Sequence, residues 1–256
     1  MPDIVYRLDV EGTRVTPPPT DAPAAKARLL EGNRAFMSSF KEEQVVYVAP
    51  SAIGIGPGDG PLAQRPFASV LSCSDARVPV ELLFRCGSNE LFVVRVAGNV
   101  PAVECLGSLE FAAANMAESI QLTVVLGHSG CGAVTAAVDT YLDQRNYPSS
   151  PPLRAVVDRV LPAVRSAATA LQSEYGDEVG LHPEGRLALI ETAVVLNVAL
   201  SAMTVRDDLD RPVECGVFDL ESRQVKLSAP PEDADGHVAL AGNVAASERI
   251  RGLLAR

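Results

Sequence analysis

Two short motifs carry the residues in this sequence that could do chemistry. The first is Cys73-Ser74-Asp75-Ala76-Arg77 and the second is His128-Ser129-Gly130-Cys131. Together they offer two thiolates and one imidazole, a ligand set that suits zinc and leaves a fourth position for a water molecule or a carboxylate. Asp75 could supply that carboxylate. Because residues two apart in an extended segment point the same way, Cys73, Asp75 and Arg77 can all face one site.

Each motif directly follows a short apolar run, residues 67–71 for the first and 120–126 for the second. The runs contain β-branched residues and end in small or polar ones, which is typical of strands buried in a parallel sheet. In open α/β sheets, the loops that leave the carboxyl ends of the strands converge on one crevice, and ligands bind there. We therefore predict that the two motifs meet at this edge and bind one divalent ion.

Strand-like and helix-like segments alternate along the chain, which predicts an α/β fold with a mostly parallel central sheet flanked by helices. We divide the chain into an extended N-terminal arm over residues 1–22 and a single α/β domain over residues 23–256, with an N-terminal helical arm and a C-terminal hairpin and helix extension. Pro162 should kink or restart a long helix. Besides the two motif strands, the predicted segments are strands 91–97, 213–220 and 224–227, helices 24–40, 79–84, 103–116, 132–144, 153–174, 186–207 and 245–255, and a loop over 228–242.

Composition limits the classes of partner and the location. The net charge of -10 argues against nucleic acid or an anionic membrane as the main partner, since both favour clustered Lys and Arg. Five unevenly spaced cysteines do not resemble a secreted disulfide framework, so a reducing compartment is expected. Residues 1–10 do not form a signal peptide, and no apolar run is judged long enough to span a bilayer. We predict a cytoplasmic protein.

The remaining cysteines and histidines have simpler explanations. Cys86, Cys105 and Cys215 are interpreted as small buried apolar residues, because none has a second ligand type at a useful spacing. His182 and His237 lie in Pro-rich or Asp-rich segments and are interpreted as solvated surface residues. Core packing or a disulfide could in principle also account for the two motif cysteines, but neither explains the Asp, His and Arg beside them.

Glycines in and around the second motif leave a rival interpretation open. Gly127, Gly130 and Gly132 permit a sharp chain reversal that would bring His128 and Cys131 to one ion. The same spacing between a strand and a helix could instead hold a phosphate at the helix N-terminus. No Lys or Arg follows, which weakens this alternative. A Gly-rich loop over 54–60 superficially matches a dinucleotide fingerprint, but no strand precedes it.

Asp75 and Arg77 also allow two interpretations. In the simpler one they form an ion pair that pins the loop. In the other, the guanidinium fork of Arg77 holds Asp75 off the metal by a bidentate pair, so that a water can bind there and Asp75 can accept its proton. If the pair breaks, Asp75 would bind the metal and close the site.

Longer stretches around these motifs resemble the β-class carbonic anhydrases. The resemblance covers at least residues 29–137. It rests on Leu30-Glu31-Gly32-Asn33-Arg34-x-Phe36, Cys73-Ser74-Asp75-Ala76-Arg77-Val78, Leu91-Phe92-Val93-Val94-Arg95-Val96-Ala97-Gly98-Asn99, Gly107-Ser108-Leu109-Glu110-Phe111 and Gly127-His128-Ser129-Gly130-Cys131-Gly132-Ala133-Val134.

This resemblance implies reversible hydration of CO2 to bicarbonate and a proton by a zinc-bound hydroxide, with zinc on Cys73, His128 and Cys131. It implies that Asp75 and Arg77 correspond to the catalytic dyad of the family. In the closed form of the site, Asp75 would be a further metal ligand. It further implies a homodimer or tetramer, with the helix over 24–40 as an arm on the neighbour. The substrate-binding positions that it implies are Gln64, which orients substrate, Phe92, an apolar wall, Phe111, which faces from the other subunit, and Gly132.

Two other functions on the same fold stay open at this point. One is hydrolysis of a CO2 analogue such as carbonyl sulfide, which needs the same nucleophile and a reshaped apolar pocket. The other is a non-catalytic bicarbonate or metabolite sensor in which Asp75 stays on zinc.

Overall fold

The computed structural model of the protein describes residues 4–8, 17–38, 44–48, 63–177, 182–209 and 211–255. The strands are β1 (Ile4–Leu8), β2 (Gln44–Val48), β3 (Ala68–Ser72), β4 (Leu91–Arg95), β5 (Leu122–His128), β6 (Val213–Phe218) and β7 (Val225–Ser228). The α-helices are α1 (Ala22–Ser38), α2 (Val80–Leu83), α3 (Val103–Asn115), α4 (Gly132–Leu142), α5 (Pro151–Tyr175), α6 (Pro183–Asp208), α7 (Ala234–Ala245) and α8 (Glu248–Leu254).

The central sheet has five strands in the order β4-β3-β5-β6-β7. β3 pairs in parallel with both β4 and β5, and β5 pairs in parallel with β6. β7 runs antiparallel to β6 and forms the predicted hairpin. The predicted α/β fold with a mostly parallel sheet is therefore confirmed, and the motif strands β3 and β5 lie next to each other in its middle.

Both faces of these two strands are covered, which explains why their sequences read as continuous apolar runs. Val70 points to a cluster that includes residues of α1 and α2. Its neighbour Leu71 points to the opposite cluster, which includes residues of α3 and α6. All five residues of β3 and all seven of β5 are buried. Burial on both faces fixes the strand register, because a slip by one residue would exchange the two faces.

Helix α6 corrects the expectation that no apolar run is long enough to cross a bilayer. By length and composition this one helix of the described residues could do so, over Pro183–Asp208. However, 72% of its most apolar window is buried inside the protein. It packs against β5, β6 and α5, so its apolar character is that of a core helix.

Two local predictions in the C-terminal half need correction. Pro162 does not restart a helix, because α5 runs as one helix from Pro151 to Tyr175. Pro162 lies on the exposed side, where water can satisfy the carbonyl that loses its amide partner. The predicted loop over 228–242 contains the start of α7 instead. Its N-cap is Asp233, whose carboxylate accepts a hydrogen bond from the Gly236 amide at 2.8 Å.

The N-terminal segment contains a pairing that the sequence pattern did not predict. β1 lies inside the predicted extended arm and pairs in parallel with β2, from Ile4 opposite Gln44 to Leu8 opposite Val48. The predicted N-terminal helix is present as α1, and its Leu29 is fully buried against the chain's own core. The Gly-rich loop predicted over 54–60 lies outside the described residues.

His237 is buried rather than solvated, being only 5% exposed on α7. Among the described residues its Nε2 atom has no hydrogen-bond partner. Burial lowers the pKa of His237 below its ordinary value of about 6.5. The sequence prediction failed because the surrounding Asp-rich segment folds into a helix whose inner face carries this residue.

This burial predicts a pH-dependent contribution to stability. Below pH about 6.5 the unfolded chain protonates His237 before the folded chain does, so protons favour unfolding. The contribution of the buried, neutral His237 to the free energy of unfolding is therefore fully present above this pH. It declines as the pH falls from this value to the pKa of His237 in the folded chain. We expect the melting temperature of His237→Leu to fall less between pH 7.5 and pH 5.5 than that of the native protein, by about 2 °C. If the melting temperatures of the two proteins fell equally, the lowered pKa of His237 would be contradicted.

Candidate metal centre

Cys73, His128 and Cys131 form one buried cluster at the carboxyl edge of the sheet. Their ligand atoms all lie within 4.8 Å of one another, and the two Sγ atoms are 3.9 Å apart. The structure thus brings together the three residues predicted to bind a metal. Two thiolates and an imidazole at this spacing fit a tetrahedral zinc ion, so the donor set present matches the predicted cofactor.

The register of the central strands creates this cluster. Ser72 at the end of β3 lies opposite Leu126 of β5, so Cys73 leaves the sheet beside the last residues of β5. His128 is the final residue of β5, and Cys131 caps the N-terminus of α4. Between these ligands Gly130 adopts a φ of +61°, a left-handed conformation that favours glycine. The predicted chain reversal is therefore present.

Gly127 has a different role from the one that a phosphate-binding loop would require. A Cβ atom at this position would lie 2.3 Å from Cγ2 of Val198 on α6. Glycine is needed here because strand β5 and helix α6 approach closely, and the position is filled by protein atoms. The phosphate interpretation loses its main support.

The imidazole of His128 is oriented for metal binding. Its Nδ1 atom lies 3.0 Å from the carbonyl oxygen of Ser129, and a carbonyl can only accept, so Nδ1 carries the proton. The lone pair is then on Nε2, which is fully buried and has no hydrogen-bond partner among the described residues. An unpartnered buried nitrogen facing two sulfurs is the arrangement expected of a zinc ligand.

The two thiols differ in acidity because they share a small buried space. A hydrogen bond from Cys131, helped by His128 and by the backbone at Asp75 and Gly98, lowers the pKa of Cys73 to about 4. The pKa of Cys131 is raised far above its ordinary value, because its thiol is hydrogen-bonded to Cys73, is buried, and as a second thiolate would face the first. A divalent cation relieves this repulsion, so the site favours a metal with affinity for thiolates.

Asp75 is held beside the cluster by Arg77. The Nε and Nη2 atoms of Arg77 donate to the two carboxylate oxygens of Asp75 at 2.9 and 2.7 Å, and the Arg77 amide donates at 2.9 Å. These bonds lower the pKa of the Asp75 carboxyl well below its usual range. Oδ2 of Asp75 still lies only 3.7 Å from Nε2 of His128. The predicted bidentate pair is present, and its carboxylate stays within reach of the metal position.

Arg95 is a residue of this site that the sequence reasoning missed. It ends β4, next to β3, and its guanidinium donates to the carbonyl of Cys73 at 2.9 Å and to that of Asp75 at 2.6 Å. The loop that carries the first motif is therefore fixed through its backbone. The available signal was an arginine at the carboxyl end of the neighbouring strand, where the motif loops were expected to meet.

The four positions implied for substrate binding do not gather around the metal ligands of the same chain. Gln64 is exposed ahead of β3, at the opposite end of the strand from Cys73. Phe92, on the edge strand β4, pairs with Ser69 of β3 and packs against a small cluster that includes Met116. Phe111 is 55% exposed on α3, and only Gly132, at the start of α4, adjoins a ligand. Their roles stay predictions.

The three remaining cysteines are buried, as predicted. Cys86, Cys105 and Cys215 lie in apolar clusters of the core. Burial raises the pKa of each thiol, to about 11 for Cys215. They are therefore poor thiolate donors and lie outside the metal cluster.

Comparison with known proteins agrees with this site. A family model described as carbonic anhydrase matches residues 68–211, which include all three candidate metal ligands. A carbonic anhydrase of Mycolicibacterium smegmatis is 36% identical over 146 residues, covering 56% of this chain and 69% of that protein. Carbonic anhydrase 2 of Mycobacterium tuberculosis is 37% identical over 147 residues, covering 57% of this chain and 66% of that protein.

Among solved structures, the β-carbonic anhydrase of Coccomyxa, determined in complex with acetazolamide, has a similar fold. It superposes with a TM-score of 0.50 at 21% identity, covering 67% of this chain and 78% of that one. At this identity the likeness concerns the fold alone.

Proposed function

This chain belongs to the carbonic anhydrase family, in its β class, and from that premise we propose that it catalyses the reversible hydration of CO2 to bicarbonate and a proton. The observation that carries the proposal is the buried cluster of Cys73, His128 and Cys131, with Asp75 held beside it by Arg77. A zinc ion bound by these three residues would supply an activated water nucleophile at neutral pH.

Each residue around the ligands then has a distinct task. With zinc bound, the negative charge of the two thiolates would make a bound water less acidic than three neutral imidazoles would. Asp75 would offset this by accepting a hydrogen bond through its Oδ2 atom, the oxygen that lies 3.7 Å from Nε2 of His128. Arg77 keeps the carboxylate ionised and restrained, so that it orients the nucleophile without taking the ligand position itself.

A stopped-flow CO2 hydration assay on zinc-replete protein tests the proposal. We expect a rate well above the buffer rate that increases between pH 7 and pH 9, as more of the nucleophile becomes deprotonated. Protein stripped of metal by a chelator is the matched control and should lose this rate, and zinc should restore it. A zinc-replete protein with only the buffer rate would reject the proposal.

The alternatives are distinguished by two further measurements. Turnover of carbonyl sulfide under the same conditions separates CO2 hydration from hydrolysis of the analogue. A sensor requires Asp75 to remain on zinc, whereas the bidentate hold by Arg77 favours an open site. A zinc coordination shell of two sulfurs, one nitrogen and one carboxylate oxygen at every pH from 7 to 9, without activity, would establish the sensor.

Self-association and a cytoplasmic location are part of the same proposal. The exposed Phe111 and Val103 on α3 give this helix an apolar outer face that a second copy of the chain could cover. We expect a dimer or tetramer by light scattering, and a monomer at working concentrations would contradict it. Each of the five cysteines is free, which suits a reducing compartment.

A further inference from the structure

The loop between the two ligands of the second motif is held at Gly130. The Gly130 amide donates to Oε1 of Glu191 on α6 at 3.0 Å. On its other side, the Gly130 carbonyl lies 3.5 Å from Nη2 of Arg77, the same nitrogen that donates to Oδ2 of Asp75. Gly130 thus connects Glu191, through its amide, with the Arg77–Asp75 pair, through its carbonyl.

Packing does little to restrain this glycine. A Cβ atom on Gly130 would meet nothing within 4 Å among the described atoms, and its φ of +61° is one of the conformations that glycine adopts freely. The Ser129–Gly130 peptide group is held on both sides: the Gly130 amide donates to Glu191, and the Ser129 carbonyl accepts from Nδ1 of His128 at 3.0 Å. Restraint of this peptide group limits the direction of the chain into Cys131 and the position of the Gly130 carbonyl that faces Arg77.

Glu191 is itself fixed from the C-terminal helix. Its second oxygen, Oε2, pairs with Nη2 of Arg249 on α8 at 2.7 Å, and Nη1 of Arg249 pairs with Asp219 after β6. The Glu191 side chain is only 17% exposed, whereas that of Arg249 is 53% exposed. Arg249 also lies on the wall of a cavity of about 600 Å3, which Glu191 and Asp219 line as well.

We infer that Glu191 is a positioning residue for the reaction, which holds the Gly130 peptide so that the Cys131 sulfur and the Arg77–Asp75 pair keep their places. Arg249 lies beyond residue 211, where the family match ends, so this chain's own C-terminal helix supports the metal loop. The inference deepens the proposed function, and two of its three measurements do not depend on CO2 turnover.

A plain structural role, an ion pair that joins α6 to α8, is the alternative explanation, and two variants separate it from positioning. Glu191→Gln keeps an oxygen at Gly130 but loses the charge that pairs with Arg249. Glu191→Asp keeps the charge, and the half-exposed Arg249 can follow the shorter side chain, but the carboxylate retracts from the Gly130 amide. If Glu191 positions Gly130, Glu191→Gln should retain zinc and activity better than Glu191→Asp. If Glu191 only forms an ion pair, Glu191→Asp should retain them better.

The experiment compares these variants in zinc release to a chelator, in the thiolate-to-cobalt charge-transfer band of the cobalt-substituted protein, and in CO2 hydration. For Glu191→Asp we expect zinc release about 10-fold faster, a shifted cobalt band and a kcat about 10-fold lower. Glu191→Gln should stay within about 3-fold of the native values, with the native band. These two variants are conservative, so the test does not require Glu191→Ala to fold.

The matched control is Asp139→Ala, which removes a carboxylate paired with Arg186 between α4 and α6, away from the metal loop. It should release zinc at the native rate. The inference is overturned if Glu191→Asp behaves like this control, or if Glu191→Gln is impaired as much as Glu191→Asp. If the native protein showed no CO2 hydration, zinc release and the cobalt band would still decide the inference, so that failure would concern the proposed function alone.

Discussion

Cys131→Ser is expected to lose its zinc and to hydrate CO2 at least about 1000-fold more slowly than the native protein. The serine hydroxyl stays protonated at neutral pH and is a much weaker zinc ligand than a thiolate. Elemental analysis after dialysis should find well under one zinc per chain.

Cys105→Ser is the matched control for this change. Cys105 is buried on α3, and burial raises the pKa of its thiol, so it supplies no thiolate to the metal cluster. This variant should retain one zinc and the native rate, apart from a small loss of stability. If Cys131→Ser also kept one zinc per chain at native activity, the metal centre described above would be wrong.

The metal ligands were predictable because their signal is local. Cys73 follows one buried strand and His128 ends another, and adjacent parallel strands place their carboxyl ends together. Asp75 and Arg77, two positions apart, then predicted the bidentate pair beside the metal position. Each motif could be recognised from its own strand and loop, and the parallel sheet supplied the step that brings the two together.

The residues that support the site were not predictable in the same way, because their partners are far away in sequence. Glu191 lies on a long apolar helix and accepts a hydrogen bond from the Gly130 amide, 61 residues away in the sequence. Arg249 comes from the last helix, 58 residues beyond Glu191. An isolated charged residue on a helix gives no sign of which backbone amide it will meet, since that depends on how α6 and α8 pack.

The errors in the fold have a similar origin. His237 lies in a stretch rich in Asp and Gly that suggests a loop, yet Asp233 caps a helix there and turns His237 inward. Pro162 suggests a break, but α5 packs against α4, α6 and α7, and a proline on its exposed face is tolerated. At Pro162 packing thus outweighed the local signal, whereas at His237 the local cap at Asp233 was overlooked.

Arg77→Ala is expected to reduce CO2 hydration by about 100-fold while leaving one zinc per chain in place. The Arg77 side chain is 58% exposed, so its removal leaves no cavity in the core. Its loss frees the Asp75 carboxylate, whose Oδ2 atom is 3.7 Å from the ligand nitrogen of His128. The carboxylate can then take the ligand position itself and exclude water.

A double-variant comparison distinguishes this closure from a simple loss of charge near the site. If Asp75 occupies the ligand position in Arg77→Ala, substituting it by Ala as well should not lower the rate further, so the two effects should be strongly non-additive. Arg77→Lys should fall between the native protein and Arg77→Ala, because it keeps a positive charge but cannot form the bidentate pair. Native activity in Arg77→Ala would mean that Arg77 only pins the loop, and the gating role of the pair would have to be abandoned.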